Sequence, residues 1–500
     1  MSRLRYLAPL LLGGSIGLLV GYDPFIKDRF KIEFQYQNLL SLFPYKFSTV
    51  FILLVIGTVV GIVYIFKNIK WAFDHKVEIF IVSLVTTNQL TSLTGRIDLS
   101  DLVAILFLIL FFVYNFTYPE YKLEKNPINL LNLLLFGFAF LSTGINAKGS
   151  IIALLVLTMP LIKALMVFFL VVNLVRKRHQ AIFFLKTFIV VTTFSAFLGI
   201  IQEIIYFFTH IALVGVMDDK AKDFIFEYTS YGNFLRVPAL TGWYLSLANL
   251  VSISLAIIFN FLLYPEVLGK KQKQRRFLII ALIINSIALF LTFSRTTYLA
   301  VFILIIISVM VKKSSLLLHF VVFGIALLAL GHLMGLSTVF YEHMETDIHV
   351  LGDVGIRTNL ARDAIEGSMH KKPLFGVGHW KGIIHTVNVN GWPVHNAFIL
   401  AINEIGLCGF LIYCSIYIVI FYRLIMTMAL VRESQDKVIL KGLILGYLAF
   451  LINIQFHPSF ISNFHWIYFG FLESIHSSLR KTYLERRVPQ EARPLNCCYF

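Results

Sequence analysis

The residues best equipped for chemistry are His395, with Asn396 beside it, and three arginines, Arg236, Arg295 and Arg357. An imidazole titrates near neutrality and can take a proton from a hydroxyl. A guanidinium presents a planar fork of N–H donors that fits the oxygens of a phosphate or pyrophosphate. Each residue also has a plainer reading. An arginine at a helix end can snorkel or pair with lipid headgroups, and a single interfacial histidine can be structural. Arg362, five residues after Arg357, reads as part of a loop salt bridge. Glu404 follows His395 by nine residues, about 13 Å along a helix. A carboxylate at that depth in a membrane is either functional or a packing hydrogen bond. The other outer histidines and the four cysteines, Cys408, Cys414, Cys497 and Cys498, lack metal-ligand spacing, so neither a metal site nor a disulfide framework is expected.

A membrane bundle must hold these residues. The 500 residues are 58% hydrophobic and 14% charged, with a mean hydropathy of +0.80, whereas soluble domains carry about 25% charged residues. That excludes a large soluble domain and a disordered chain. Apolar runs fall at 6–21, 47–66, 77–93, 101–117, 127–143, 150–175, 181–208, 240–264, 277–293, 296–311, 316–336, 395–424, 439–456 and 464–479. At roughly 20 residues per crossing they predict an all-α polytopic protein with about 12–14 transmembrane helices.

The charge balance, 43 Lys+Arg against 27 Asp+Glu for a net +16, would suggest nucleic acid in a soluble protein. Here it orients the bundle. Threading the runs alternately with the N-terminus inside puts Lys67, Lys122, Arg176, Lys270, Lys312, Arg432 and Arg480, with their basic neighbours, on one face. Positive charge is retained in short cytoplasmic loops, so both termini are expected inside and no nucleic-acid partner is implied. The segments 209–239 and 337–394 then lie outside and bring Arg236, Arg295, Arg357 and His395 to one face. The predicted organisation is helices over 1–208, an outer loop 209–239, central helices 240–336, a large outer loop 337–394, helices 395–479 and a basic tail 480–500. No nucleotide-binding motif and no internal repeat is visible.

Spacing then narrows the reading. His395-Asn396 is followed by nine residues and Gly406-Leu407-Cys408-Gly409, the pattern H-N-x9-G-x-x-G. This resembles the signature of the bacterial O-antigen ligase and polymerase superfamily. Upstream, Phe293-Ser294-Arg295 with Leu299-Ala300 is similar to that family's S-R helix start. Gly355-Ile356-Arg357, leading to Pro373-Leu374-Phe375-Gly376-Val377-Gly378, is similar to its R…P-x-F-G-x-G loop. Arg236 stands where the family carries an arginine in the preceding outer loop. The resemblance covers residues 236–409.

What the resemblance implies is a type C-like membrane glycosyltransferase whose large periplasmic loop carries short helices. It would use an undecaprenyl-pyrophosphate-linked glycan at the periplasmic face of the inner membrane, with neither cofactor nor metal. Arg236 and Arg357, with Arg295, would clamp the pyrophosphate leaving group, and His395 would accept the proton of the acceptor hydroxyl with inversion of the sugar. Asn396 would orient the imidazole or a sugar hydroxyl. Glu404 would support the site from within the helix, and Gly406 and Gly409 would permit close helix approach behind it. Three branches fit: ligases acting on the lipid A core, polymerases extending the carrier-linked chain, and protein-modifying transferases. The H-N-x9-G-x-x-G spacing favours the ligase. A flippase of lipid-linked glycan is the alternative of another class, and it would need ionisable residues along a path through the bilayer.

Overall fold

Runs of about 20 apolar residues bounded by basic clusters leave the backbone one economical solution in a bilayer, the α-helix, because it satisfies its own N–H and C=O groups. The computed structural model describes residues 75–89, 99–117, 123–124, 126–146, 151–210, 226–229, 232–241, 244–265, 272–312, 359–366, 370, 372–378, 394, 396–456 and 463–485. In chain order these form α1 (Lys76–Gln89), α2 (Leu99–Thr117), α3 (Pro127–Asn146), α4 (Ile151–Leu174) and α5 (Arg178–Thr209). A hairpin of β1 (Phe226–Thr229) and β2 (Gly232–Leu235) follows, then a 3-10 turn at Ala239–Thr241. The remainder is α6 (Tyr244–Leu263), α7 (Gln272–Leu291), α8 (Arg295–Lys312), α9 (Ala397–Leu430), α10 (Ser434–Ile454) and α11 (Asn463–Glu485). Each corresponds to one predicted apolar run; the runs 6–21, 47–66 and 316–336 lie outside the described residues. Among the described residues, seven helices, α3 and α5 to α10, are long and apolar enough to cross a membrane. The chain is an all-α polytopic membrane protein, with the antiparallel hairpin, Phe226 opposite Leu235, as a small addition.

Burial divides the helices into posts and walls. Within its membrane-length window α6 is 78% buried and α10 is 67% buried, whereas α7 and α8 are each 28% buried. A helix apolar on every side belongs inside a bundle. The α6–α10 contact rests on two glycines spaced four apart. A Cβ on Gly442 would meet Asn260 Nδ2 at 3.2 Å, and one on Gly446 would meet Ile253 Cγ2 at 3.1 Å. Small residues at this spacing let helix backbones approach closely where lipid supplies no hydrophobic drive. Polar bonds fasten the contact, among them Asn260 Nδ2 donating to the Val438 carbonyl at 2.7 Å.

The two ends of the bundle differ. At the basic end, Arg178 pairs with Asp436, its Nη2 at 2.6 Å and its Nε at 2.9 Å from Oδ1, and Tyr483 donates to the same carboxylate. Lys312 and Lys441 both lie 4.7 Å from the Tyr264 ring centre. The opposite end gathers β2, the 3-10 turn, the α7–α8 turn and the start of α9. Among the described residues, the segments at Arg236, Arg295 and Asn396, which the alternating threading assigns to one face, lie toward that end.

Between α9 and α11 the Arg423 guanidinium forks onto the Glu473 carboxylate, which is 1% exposed, with Nε to Oε2 at 2.9 Å. Removing one partner of a buried pair strands the other charge, at a cost of about 3–5 kcal/mol. Arg423→Met is therefore expected to lower the melting temperature of detergent-purified protein, and Arg423→Met combined with Glu473→Gln to recover most of it. Equal melting of Arg423→Met and the wild type would contradict this packing.

Candidate active site

The site end is organised by a break in α9. Its first leg, Ala397 to Ile405, stops at Gly406, whose φ of 68° and ψ of −175° are non-helical, and the helix then resumes to Leu430. The segment Pro373–Gly378 is docked into the break. Val377 N donates to the Asn403 carbonyl at 2.9 Å, Gly378 N to the Glu404 carbonyl at 3.0 Å, and Leu407 N to the Pro373 carbonyl at 2.9 Å. Ser142 Oγ of α3 adds a second donor to the Glu404 carbonyl at 2.7 Å. The loop itself is tightened by Gly376 N donating to the Lys372 carbonyl at 2.8 Å. Asn146 holds it to α3, accepting from Lys372 Nζ at 2.6 Å and donating to the Gly376 carbonyl at 3.2 Å. Phe375 stacks on Phe138.

Two glycines make this docking possible. A Cβ on Gly406 would overlap the carbonyl of Leu374, and one on Gly376 would stand 2.6 Å from the Asn403 oxygen and the Gly406 nitrogen. Both have φ near +69°, where L side chains are strained. The close approach expected at Gly406 is thus made by a loop entering a helix break. Gly409 has a different neighbour: a Cβ there would meet the Ile405 side chain at 2.7 Å.

Arg236 directly follows β2 and is anchored on both sides. Leu235 N donates to Glu203 Oε2 at 3.1 Å, and Val237 N donates to the Leu291 carbonyl at 3.1 Å. Gln202 Oε1 accepts from Ala239 N at 3.0 Å. The half-buried guanidinium lies 5.2 Å from the Tyr244 ring centre and donates from Nη1 to its hydroxyl at 3.2 Å. The Leu291 carbonyl belongs to the last residue of α7, so Arg236 is tied to the turn that leads to Arg295. In that turn Phe293 adopts a φ of 50°, and Ser294 and Thr297 share a hydroxyl bond of 2.7 Å. Arg295 opens α8.

His395 and Arg357 lie outside the described residues. Their described neighbours meet, however: Val394 packs with Leu360, Ala364 and Ile399. Leu360 is three residues beyond Arg357, and Val394 directly precedes His395. Asn396 caps α9, its side-chain oxygen accepting from Phe398 N at 2.9 Å and Ile399 N at 3.1 Å. Asn396 Nδ2 donates to Gln455 Oε1 at 3.1 Å. Glu404 is 1% exposed at the break. Among the described residues, Arg362 donates to the Asn359 side-chain oxygen at 3.0 Å.

Residues 280–414 match the family model described as O-antigen ligase. They carry a domain of the O-antigen ligase and polymerase superfamily. No curated protein matches the chain. The O-antigen ligase domain runs from α7 across the Ser294–Arg295 turn and the docked loop to the helix break. Its family acts on lipid-linked glycans in a membrane setting, as a glycosyltransferase-like ligase or polymerase. Arg236, Tyr244, Glu203 and Gln455 lie outside the domain. Sequence reasoning missed the last three, although Glu203 offered the same signal as Glu404, a carboxylate inside an apolar run.

The docked loop gives a direct test. Gly376→Ala should release the loop from α9, so that the Val377 and Gly378 amides exchange hydrogen at least tenfold faster while α6 and α10 stay protected. Unchanged protection at both amides would contradict the docking.

Proposed function

We propose that this chain transfers a glycan from an undecaprenyl-pyrophosphate carrier to a hydroxyl of the lipid A core, as an inverting O-antigen ligase working at the periplasmic face without a metal. His395 accepts the proton of the acceptor hydroxyl as its oxygen attacks the anomeric carbon. The sugar–phosphate bond breaks on the opposite side, and the pyrophosphate leaves with its electron pair. Arg236 and Arg357, with Arg295, stabilise the negative charge that grows on the leaving group. Asn396 fixes the start of the helix that follows the base.

One observation carries the reading: described residues that neighbour the proposed groups in the chain are tied together in pairs. The Arg236 segment is bonded to the turn before Arg295 through Val237 and Leu291. The segments flanking Arg357 and His395 pack through Leu360 and Val394. The O-antigen ligase domain supplies three of the four residues, and the spacing H-N-x9-G-x-x-G favours the ligase branch over the polymerase.

The test is reconstitution in proteoliposomes with carrier-linked glycan, with and without lipid A core acceptor. Product formed only with the core acceptor is the expected result; a ladder growing on the carrier would identify a polymerase and overturn the acceptor assignment. His395→Ala is expected to insert normally and lose transfer, and near-normal transfer by that variant would remove the base. Arg236→Ala should weaken donor use, and Arg236→Lys should fail as well, because a bidentate fork is lost. Rescue by lysine would argue against forked binding.

A further inference from the structure

The proposed reaction needs two groups of segments held at a fixed separation: Arg236 with Arg295 on one side, and His395 with Arg357 on the other. A continuous chain of contacts joins them through α6 and α10, almost wholly outside the O-antigen ligase domain. It starts at Tyr244, the first residue of α6, whose hydroxyl and ring hold Arg236. One turn further on, α6 is bolted to α10. Asn453 Nδ2 donates to Asn249 Oδ1 at 3.2 Å and to Ser252 Oγ at 2.8 Å. Below that bolt, Gly442 and Gly446 bring the two backbones together and Asn260 bonds the Val438 carbonyl. Two residues beyond Asn453, Gln455 closes α10 and accepts from Asn396 Nδ2. Asn396 is the chain neighbour of His395.

The chemistry of Asn396 makes this link specific. Capping a helix requires only a side-chain oxygen, which serine or aspartate supplies about as well and threonine also provides. Asparagine adds an amide nitrogen, and here that nitrogen reaches across to a different helix. With its oxygen committed to Phe398 and Ile399 and its nitrogen to Gln455, the Asn396 amide is fixed in orientation. The start of α9 is thereby referenced to α10, and through Asn453 and α6 to Arg236.

We propose that Gln455, together with Asn453, is a positioning residue: the α6–α10 pair is a strut that sets the His395 segment at working distance from the Arg236 segment. The inference rests on the roles proposed above for His395 and Arg236. Its expected signature is kinetic, because a displacement of about 1 Å between reacting groups lowers turnover by about 100-fold while leaving donor contacts in place.

The experiment measures kcat and donor KM for the full chain in proteoliposomes, using undecaprenyl-pyrophosphate-linked glycan and lipid A core. Gln455→Leu is expected to lower kcat by about 10- to 100-fold with donor KM changed by less than about threefold. Gln455→Glu keeps an oxygen for Asn396 Nδ2 and is expected to stay within about threefold of wild-type kcat. If Gln455→Leu does not accumulate, Gln455→Ser, too short to reach Asn396, takes its place with the same expectation. Wild-type kcat in the leucine or serine variant, or equal loss in Gln455→Glu, would overturn the strut. His395→Ala and Arg236→Ala are measured alongside. Normal turnover by them overturns both the proposed site and the strut, whereas their loss beside an active Gln455→Leu overturns the strut alone.

Discussion

The constraint on which the site end depends is the fate of backbone polar groups where α9 is broken. At Gly406 the i→i−4 ladder lapses inside a helix whose sequence is apolar enough to cross a membrane, and hydrocarbon supplies no hydrogen bonds to replace it. Each unsatisfied amide or carbonyl would cost several kcal/mol. The protein meets this with a second segment of its own chain: two amides and one carbonyl of Pro373–Gly378 answer two carbonyls and one amide of α9, and Ser142 adds a hydroxyl. The break and the loop therefore require each other. The loop enters only because Gly406 lacks a Cβ, and the break is tolerable only because the loop fills it.

From that joint the organisation of the site end follows. Docking pins a stretch of the large outer segment, Pro373–Gly378, to α3 and α9 at once, through Asn146 and the Asn403 and Glu404 carbonyls. The short first leg of α9 is left as a separate piece, about 13 Å long. A piece of that length needs its own support, which it receives from the Asn396 cap, from Gln455 and from the cluster of Val394, Leu360 and Ala364. The enclosed helices α6 and α10 provide the fixed frame, while α7 and α8 are each only 28% buried. Arg236 is contacted from that frame by Tyr244, and the backbone on either side of it is held from α5 by Glu203 at Leu235 and Gln202 at Ala239.

Much of the fold was legible in the sequence because a bilayer imposes a length and a polarity that few segments satisfy by chance. The runs at 127–143, 181–208 and 240–264 became α3, α5 and α6 with ends moved by a few residues. The site was legible in its residue types but only partly in its construction. Gly406 and Gly409, three apart, carry the spacing of a helix-packing pair, and nothing local distinguishes that from a break filled by another segment. The partner, Pro373–Gly378, was recognised as a motif, yet its attachment is made by backbone groups that leave no trace in side-chain identity. Asn396 could be expected at a helix start, but Gln455 stands alone at the end of an apolar run, and its bond spans 59 positions. Arg236 was found by its charge; its anchors, Glu203 and the Leu291 carbonyl, were not, since one is a single polar residue within a run and the other is main chain. Long-range pairing of single polar groups is what sequence pattern encodes least.

The closed break at Gly406 is central to the proposed transfer, because it fixes the docked loop against α9. The measurement that bears on it most directly is the rate of glycan transfer by Gly406→Ala in proteoliposomes, with insertion and orientation of the protein verified in the same preparation. The account predicts a correctly inserted protein whose transfer falls at least 100-fold, because a Cβ at that position and the Leu374 carbonyl would occupy the same space. Transfer at a rate close to wild type would contradict it.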